Sequence, residues 1–239
     1  MVQNSYSKGF RDGIPIALGY LSVSFTFGMM ATEKAIPYLA AVLISMTNLT
    51  SAGQFAGLAL IVTSAPYIEM ALTQLVINLR YALMSVSLSQ KFDKSVNFIN
   101  RIFIAFGVTD EIFAVAMGQK GDIGKKYMYG LITAPYFGWA TGTLIGAVAS
   151  SLLPPTLRSA LGIAIYAMFL AIFIPAAKKS KAVCAVLGIA VSISCVFYYT
   201  PVLKSVSSGF VIIIAAVTAA AVGALIKPVR DDDEQEEMQ

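Results

Sequence analysis

Asp110 and Glu111 are adjacent carboxylates inside an otherwise apolar stretch from Ile102 to Met117, introduced by Gly107-Val108-Thr109. A charged side chain at bilayer depth costs several kcal/mol unless it lines a water-filled path or a binding site, so such a pair marks function by default. Neighbours on a helix point about 100° apart, so one of the two at most faces a given site squarely. A carboxylate here could bind a substrate ammonium group. It could also carry a coupling proton, because burial generally favours the neutral form of a carboxyl group. The structural alternative is a helix start, in which Thr109 or Asp110 satisfies free N–H groups of the first turn.

A second polar interruption, Thr47 to Gln54, breaks another apolar run and offers Asn48, Thr50, Ser51, Gly53 and Gln54. A helix beginning near Ser51 would aim its free N–H groups and positive dipole end at the membrane interior, which suits a carboxylate. Ala52, Gly53, Ala56 and Gly57 would let a ligand or another helix come close. The competing reading is a structural break whose polar side chains satisfy unwound backbone.

The third candidate is the run from Pro66 to Leu88, with Glu69, Thr73, Gln74, Asn78 and Arg80. Glu69 and Arg80 share a face but stand about 16 Å apart along a helix axis, so they are not a direct pair. Arg80 and Asn78 lie deeper than Glu69, and Arg80 needs a partner, for which Asp110 or Glu111 is available. Ion pairing and substrate contact both remain open for it. Arg11 and Asp12 precede the run at 13–31, where an acid favours the helix dipole, so capping is the expectation there. Phe25, Phe27, Tyr136 and Trp139 are read as packing or lipid-facing residues that could also line an apolar pocket.

The elements that must hold these groups are membrane helices. Of the 239 residues, 57% are hydrophobic and 13% charged, and the mean hydropathy is +0.75. A soluble domain carries about 25% charged residues, so the fold class is all-α, a polytopic membrane protein. Full crossings need about 20 residues, and the runs at 36–47 and 51–63 are too short to cross separately. Half-helices or a re-entrant pair suit such lengths. The expected count is seven to eight membrane segments, two of them broken or re-entrant. The run at 13–31 is expected to be a retained helix rather than a signal peptide.

Charge supports that arrangement. If 36–63 and 99–118 both fail to cross, the loops with Lys91, Lys94, Arg101, Lys120, Lys125 and Lys126 lie with Lys8 and Arg11 on the cytoplasmic side. Lys178, Lys179, Lys181, Lys227 and Arg230 fall there too. If both segments cross, the loop from Lys91 to Arg101 faces outward against the positive-inside rule. Six of the thirteen acids lie between Asp231 and Glu237. Residues 1–228 are therefore read as one integral-membrane transport domain and 229–239 as an acidic, disordered cytoplasmic tail.

Gly130, Ala134, Gly138, Gly142, Gly146 and Ser150 repeat at a spacing of four, one face for close helix approach. Ala215, Ala219 and Gly223 make a shorter version. Intramolecular packing is the plain reading, and a subunit interface is the alternative. Gly13-Ile14 with Ala17 and Gly130-Leu131 with Ala134 hint at a repeat of two halves. Cys184 and Cys195, about 16 Å apart on one helix, are packing residues rather than a bridge.

Absences narrow the chemistry. There is no His, which removes His-based zinc sites, Ser-His triads and His relays, and no metal site is expected. No phosphate-binding loop appears, and no nucleophile stands beside a base, so neither ATP-driven transport nor an enzyme is indicated. No cofactor is expected. Basic residues border apolar spans, which speaks against nucleic-acid binding.

Several of these segments carry a family resemblance. Asp12-Gly13-Ile14-Pro15-Ile16-Ala17-Leu18-Gly19-Tyr20, with Phe27-Gly28-Met29-Met30-Ala31, resembles the opening of the AzlC-like branched-chain amino acid permeases. The stretch Asn48 to Ala56, the stretch Asn78 to Ser85, and Gly107-Val108-Thr109-Asp110-Glu111 continue it in order, over about 8–120. The second half agrees mainly in length and hydropathy. The resemblance implies the large subunit of an inner-membrane exporter of valine, leucine, isoleucine and analogues, in some relatives methionine. It also implies a small AzlD-like membrane partner, for which the glycine face is one candidate surface. In that reading Asn48, Ser51, Gly53, Gln54, Asn78, Thr109, Asp110 and Glu111 are the expected substrate contacts. Arg80, with Asp110 or Glu111, is the expected coupling or ion-pair group. A non-transporting scaffold subunit and a passive channel for small zwitterions are the alternatives.

Overall fold

The computed structural model describes residues 4–226, and every regular element among them is helical. The acidic run at 229–239 lies outside the described residues. α1 (Tyr6–Glu33), α4 (Tyr67–Ser89), α7 (Lys125–Ala149), α9 (Lys181–Tyr199) and α10 (Ser208–Ile226) are long and apolar enough to cross a membrane. α8 (Pro155–Lys179) has comparable length. The two polar interruptions break helices as expected. Residues 48–50 separate α2 (Tyr38–Thr47) from α3 (Ser51–Val62), and residues 107–109 separate α5 (Phe98–Phe106) from α6 (Asp110–Met117).

The chain divides into two compact units, Met1–Leu58 with Ile77–Ile165, and Ala59–Val76 with Tyr166–Gln239. The first is organised by α1 and α7, which lie side by side and parallel. A Cβ at Gly9 would fall on the Tyr127 carbonyl, at Gly13 on Leu131, at Gly138 on Ala17, at Gly142 on Leu21 and Ser24, and at Gly146 on Phe25. The register advances in step along both helices, and only glycine permits backbones this close. The small-residue face of α7 is thus occupied by α1, within the chain.

α1 starts earlier than the apolar pattern implies. Ser5 caps it, its hydroxyl accepting from the Lys8 amide at 3.4 Å. Asp12 therefore lies nearly two turns inside and is no cap; its Oδ2 accepts from the Tyr127 hydroxyl at 2.7 Å on the facing helix. A periodicity reading misplaces this start because the first two turns carry the polar residues of an interfacial segment.

Contacts around the amino end of α1 define one side of the unit. The Lys126 amide donates to Asn4 Oδ1 at 2.9 Å, and Lys8 Nζ to Gln119 Oε1 at 2.7 Å. The loops before α5 and after α6 join them there: Asp93 N donates to Ile123 O at 3.0 Å and Ile123 N to Lys91 O at 2.8 Å, while Lys125 N donates to Ser95 Oγ at 3.0 Å. Both ends of the α5–α6 segment thus lie on the side of the α1 amino terminus. Between them the segment dips inward: Asn100 Oδ1 meets the Tyr129 hydroxyl at 2.8 Å, Gly107 packs on Ile132, and Thr109 reaches Tyr20 of α1. α5–α6 is a re-entrant hairpin.

α2–α3 is the same device entering from the opposite side. Ala41 packs with Phe27 and Ala31 near the carboxyl end of α1. Deeper in, Ser45 meets Thr143 and the Met46 carbonyl meets Tyr136. The chain turns at 48–50 and climbs back, Gln54 to Trp139, Phe55 to Phe27, and Leu58 into the cluster that holds Ala41. Each arm of these hairpins has 8–12 residues, about 12–18 Å of helix, so none could span the roughly 30 Å hydrocarbon core alone.

α4 runs opposite to α1, since Tyr81 reaches Thr50 at the first hairpin's tip and Lys91 lies in the loop on the amino-terminal side. Each of the two long helices is therefore followed by a hairpin entering from the side on which that helix ends. The internal relation is an inverted one between 20–58 and 81–117. The segments at 13–17 and 130–134, which hinted at a repeat, instead pack against each other in parallel.

In the second unit α9 and α10 form an antiparallel pair, with a 3-10 turn, Pro201–Ser205, between them and Gly223 set against Val186. Ala215 and Ala219 are buried.

Two outcomes are expected from this packing. With Cys184 and Cys195 replaced by Ser, Lys94→Cys and Asp122→Cys should react with a membrane-impermeant thiol reagent from the same side, the cytoplasmic one; labelling from opposite sides would mean α5–α6 crosses. Gly142→Val should lower stability by about 1–3 kcal/mol through overpacking, read as a fall in the detergent melting temperature. Gly188→Ala, where a Cβ meets nothing, should leave it unchanged.

Candidate functional site

The tips of both hairpins start their second helix with the same motif. Thr50 precedes α3 and its Oγ1 accepts from the Gly53 amide at 3.4 Å; Thr109 precedes α6 and its Oγ1 accepts from the Ile112 amide at 3.4 Å. A threonine at this position satisfies a first-turn N–H and fixes the break. Both threonines are buried. Each also faces a tyrosine of the long helix from the other inverted half: Tyr20 of α1 lies 2.6 Å from Thr109 Oγ1, and Tyr81 of α4 lies near the Thr50 side chain.

The two neighbouring carboxylates have separate partners. Glu111 Oε2 is 2.5 Å from the Tyr20 hydroxyl. That hydroxyl has one proton, so when it donates to the carboxylate, Thr109 becomes the donor to the tyrosine oxygen. Asp110 faces α4, where Arg80 Nη1 stands 2.5 Å from both of its carboxylate oxygens. Arg80 is the partner the sequence required, and Asp110 rather than Glu111 takes it. Arg80 Nη2 donates to the Tyr81 hydroxyl at 2.9 Å, and its guanidinium lies 4.7 Å from the centre of that ring. Arg80 and Asp110 side chains keep 42% and 38% exposure, so protein does not seal the pair.

Behind the tips lies a sealed polar chain. Trp139 Nε1 donates to Gln54 Oε1 at 2.7 Å, Gln54 Nε2 donates to Ser45 Oγ at 2.9 Å, and Ser45 and Thr143 hydroxyls are 2.7 Å apart. The Tyr136 hydroxyl donates to the Met46 carbonyl at 3.0 Å, one of the groups freed where α2 stops. Tyr20 and Trp139 rings meet edge to face at 5.1 Å, so the tip of the second hairpin and the polar chain of the first share one layer of α1 and α7 aromatics.

Of the expected residues, Ser51, Asp110, Glu111 and Thr109 sit at the helix starts, and Asn48 closes α2. Asn78 is half-buried two residues before Arg80. Gly53 and Gln54 are buried in the first turn of α3. Both polar ends of Gln54 are held by protein groups, so it positions the hairpin. Ser45, Thr143, Tyr20 and Tyr81 were not singled out by sequence: single hydroxyls in apolar runs carry no spacing signal. Glu69 belongs to the second unit. It is 2% exposed, and its Oε1 accepts from Ser207 Oγ at 2.5 Å and the Gly209 amide at 3.1 Å at the start of α10. Among the described residues, no group of three or more His, Cys, Asp or Glu side chains is disposed to hold a metal ion.

Comparison with known proteins adds the lineage. A family profile described as "AzlC protein" matches residues 15–153. An uncharacterized membrane protein of Archaeoglobus fulgidus is 31% identical over 79% of this chain and 84% of its own length. The inner membrane protein YgaZ of Escherichia coli is 27% identical over 75% of this chain and 76% of its own. An uncharacterized membrane protein of Helicobacter pylori is 25% identical over 62% of this chain and 67% of its own. No solved structure matches.

Gln54→Leu keeps volume but strands Trp139 Nε1 and the Ser45 hydroxyl in a buried layer. It should cost about 1–3 kcal/mol, measured as a lower melting temperature in detergent. Gln54→Glu should be no milder, because a carboxylate has no N–H for Ser45.

Proposed function

Because the chain belongs to the AzlC family, we propose that it is a secondary transporter exporting branched-chain amino acids, valine, leucine, isoleucine and analogues such as methionine, across the cytoplasmic membrane. The observation that carries this reading is the meeting of two re-entrant tips, from opposite sides, on one layer that holds an unsealed Arg80–Asp110 pair. Broken helices that present helix ends near mid-depth are how secondary transporters bind charged solutes within a membrane. Substrate specificity rests on the family resemblance and on the site's fitness for a zwitterion.

In this reading the substrate lies among Asn48, Ser51, Asn78 and Asp110, with Gly53, Gln54, Thr109 and the Tyr20-bound Glu111 holding the tips in shape. The start of α3 favours the substrate carboxylate, and a carboxylate at the start of α6 meets the ammonium group. Phe55 and Phe106 would receive the aliphatic side chain. Inverted halves with a shared layer allow access to alternate between sides by rocking one half on the other. No catalytic chemistry is needed for this, and the substrate gradient, a proton or an ion drives it. The small AzlD-like partner belongs to the same proposal. Its docking surface is not the α7 glycine face, which α1 covers.

The test is efflux of radiolabelled valine or isoleucine from cells fed the corresponding dipeptide, for this chain alone, with the small partner, and as Asp110→Asn or Glu111→Gln. Saturable efflux above background is expected, lost in Asp110→Asn while the protein stays at wild-type level in the membrane. Full transport by both single variants would remove the carboxylates from the mechanism. Background efflux with the partner present would favour a scaffold.

A further inference from the structure

We propose that a zwitterionic substrate binds by exchange with the Arg80–Asp110 ion pair: its carboxylate takes Arg80, its ammonium group takes Asp110, and Glu111 stays on Tyr20 outside the substrate's reach. This rests on the transport reading above and assigns both charges of the substrate to named side chains.

Three observations converge on the exchange. The first is the division of the carboxylates. Glu111 is engaged by the Tyr20 hydroxyl at 2.5 Å, whereas the side-chain partner of Asp110 among the described residues is Arg80. Arg80 is steadied from behind by the Tyr81 hydroxyl and ring, so its guanidinium stays in place when Asp110 turns to another partner. The second is exposure. At 42% and 38% the pair is accessible to a ligand, unlike Gln54 and Thr109 at 1% and 4%.

The third comes from the inverted halves. Aligning Tyr20 with Tyr81 and Thr50 with Thr109 pairs Gly19 with Arg80 and Ser51 with Asp110. The first hairpin is thus built with the same threonine cap and the same tyrosine across from it, and with no ion pair at all. An ion pair is therefore not a requirement for holding such a tip. Its presence in one half only is what a site for a single zwitterion would look like in a duplicated frame.

The exchange also solves a charge problem. A lone charge at this depth is costly. Empty, the site is neutral because Arg80 and Asp110 cancel each other. Loaded with a zwitterion, it is neutral again, with two ion pairs in place of one. A solute with only one of the two charges would leave either Arg80 or Asp110 unpaired, so selection against amines and carboxylates follows from the same two residues.

The experiment measures ligand-induced thermal stabilisation of the full chain in lipid nanodiscs with valine, isobutylamine and isovalerate, and with glycine, methionine and phenylalanine as other zwitterions. Wild type should respond to at least one zwitterion and to neither singly charged analogue. Asp110→Asn should lose the zwitterion and gain isovalerate; Arg80→Gln should lose it and gain isobutylamine. The doubly neutral Arg80→Gln/Asp110→Asn, which leaves no isolated charge and guards against misfolding of the single variants, should respond to none. Glu111→Gln should keep the wild-type ligand preference. A response to methionine or phenylalanine but not valine, with the same switch of analogues, upholds the exchange and sinks the branched-chain assignment. Zwitterion binding that survives in the doubly neutral variant, or no response to any zwitterion by wild type, overturns the exchange.

Discussion

Every backbone N–H and C=O at bilayer depth must find a partner inside the protein, and two helix breaks in one layer make that requirement acute. The rest of the first unit can be understood as the answer to it. Thr50 and Thr109 cap the helices that follow the breaks, and Tyr136 takes the Met46 carbonyl left behind by the first. Tyr20 and Tyr81 then hold the caps themselves. These donors can only reach the tips because α1 and α7 lie so close that glycine is needed at Gly13, Gly142 and Gly146. The glycine contact is thus less a dimer motif than the means of bringing aromatic hydroxyls and the Trp139 indole to one depth.

The crossed pairing of tyrosines and threonines gives the unit its mechanical character. Each hairpin tip faces a tyrosine of the long helix of the opposite half, and the second tip is also tied by the Arg80–Asp110 pair to α4, the helix that leads into it. A displacement of one half against the other must therefore strain both tyrosine contacts together. The Tyr20 hydroxyl meets both Thr109 and Glu111, and a hydrogen bond of this kind contributes about 1 kcal/mol net. The first hairpin is tied in addition by the chain from Trp139 through Gln54 and Ser45 to Thr143, which has no exposed member.

Much of this layer was legible in the amino-acid sequence because charges and glycines in apolar runs have few structural explanations. The two breaks, the helix starts at Ser51 and Asp110, and the need of Arg80 for a carboxylate follow from the cost of exposing polar groups to lipid. The choice between two re-entrant segments and two crossings followed from lysines at 91, 94, 125 and 126, a charge argument that the loop contacts bear out. What was not legible is equally physical. Which carboxylate Arg80 takes depends on a helix direction that no spacing encodes. The Tyr20 and Tyr81 latches join residues about 90 and 30 positions from their partners, through hydroxyls that read as ordinary interfacial aromatics. Asp12 was misread because its partner, Tyr127, lies on another helix.

Three of the acidic residues that lie within helices, Glu69, Glu111 and Asp110, differ in how replaceable their partners are. Glu69 is held by Ser207 and by a backbone amide at the start of α10. A backbone donor cannot swing away without unwinding the helix, so this carboxylate serves the fold. Glu111 is held by a tyrosine hydroxyl, which can rotate and can pass a proton, but which offers no charge for a ligand to displace. Asp110 is held by a guanidinium on a long side chain, partly exposed, whose several N–H donors another carboxylate can compete for. Charge at membrane depth therefore does not by itself identify a site in this family. The distinguishing property is whether the neutralising group can leave without breaking a helix, and in this chain Asp110 alone of the three has a partner that meets it.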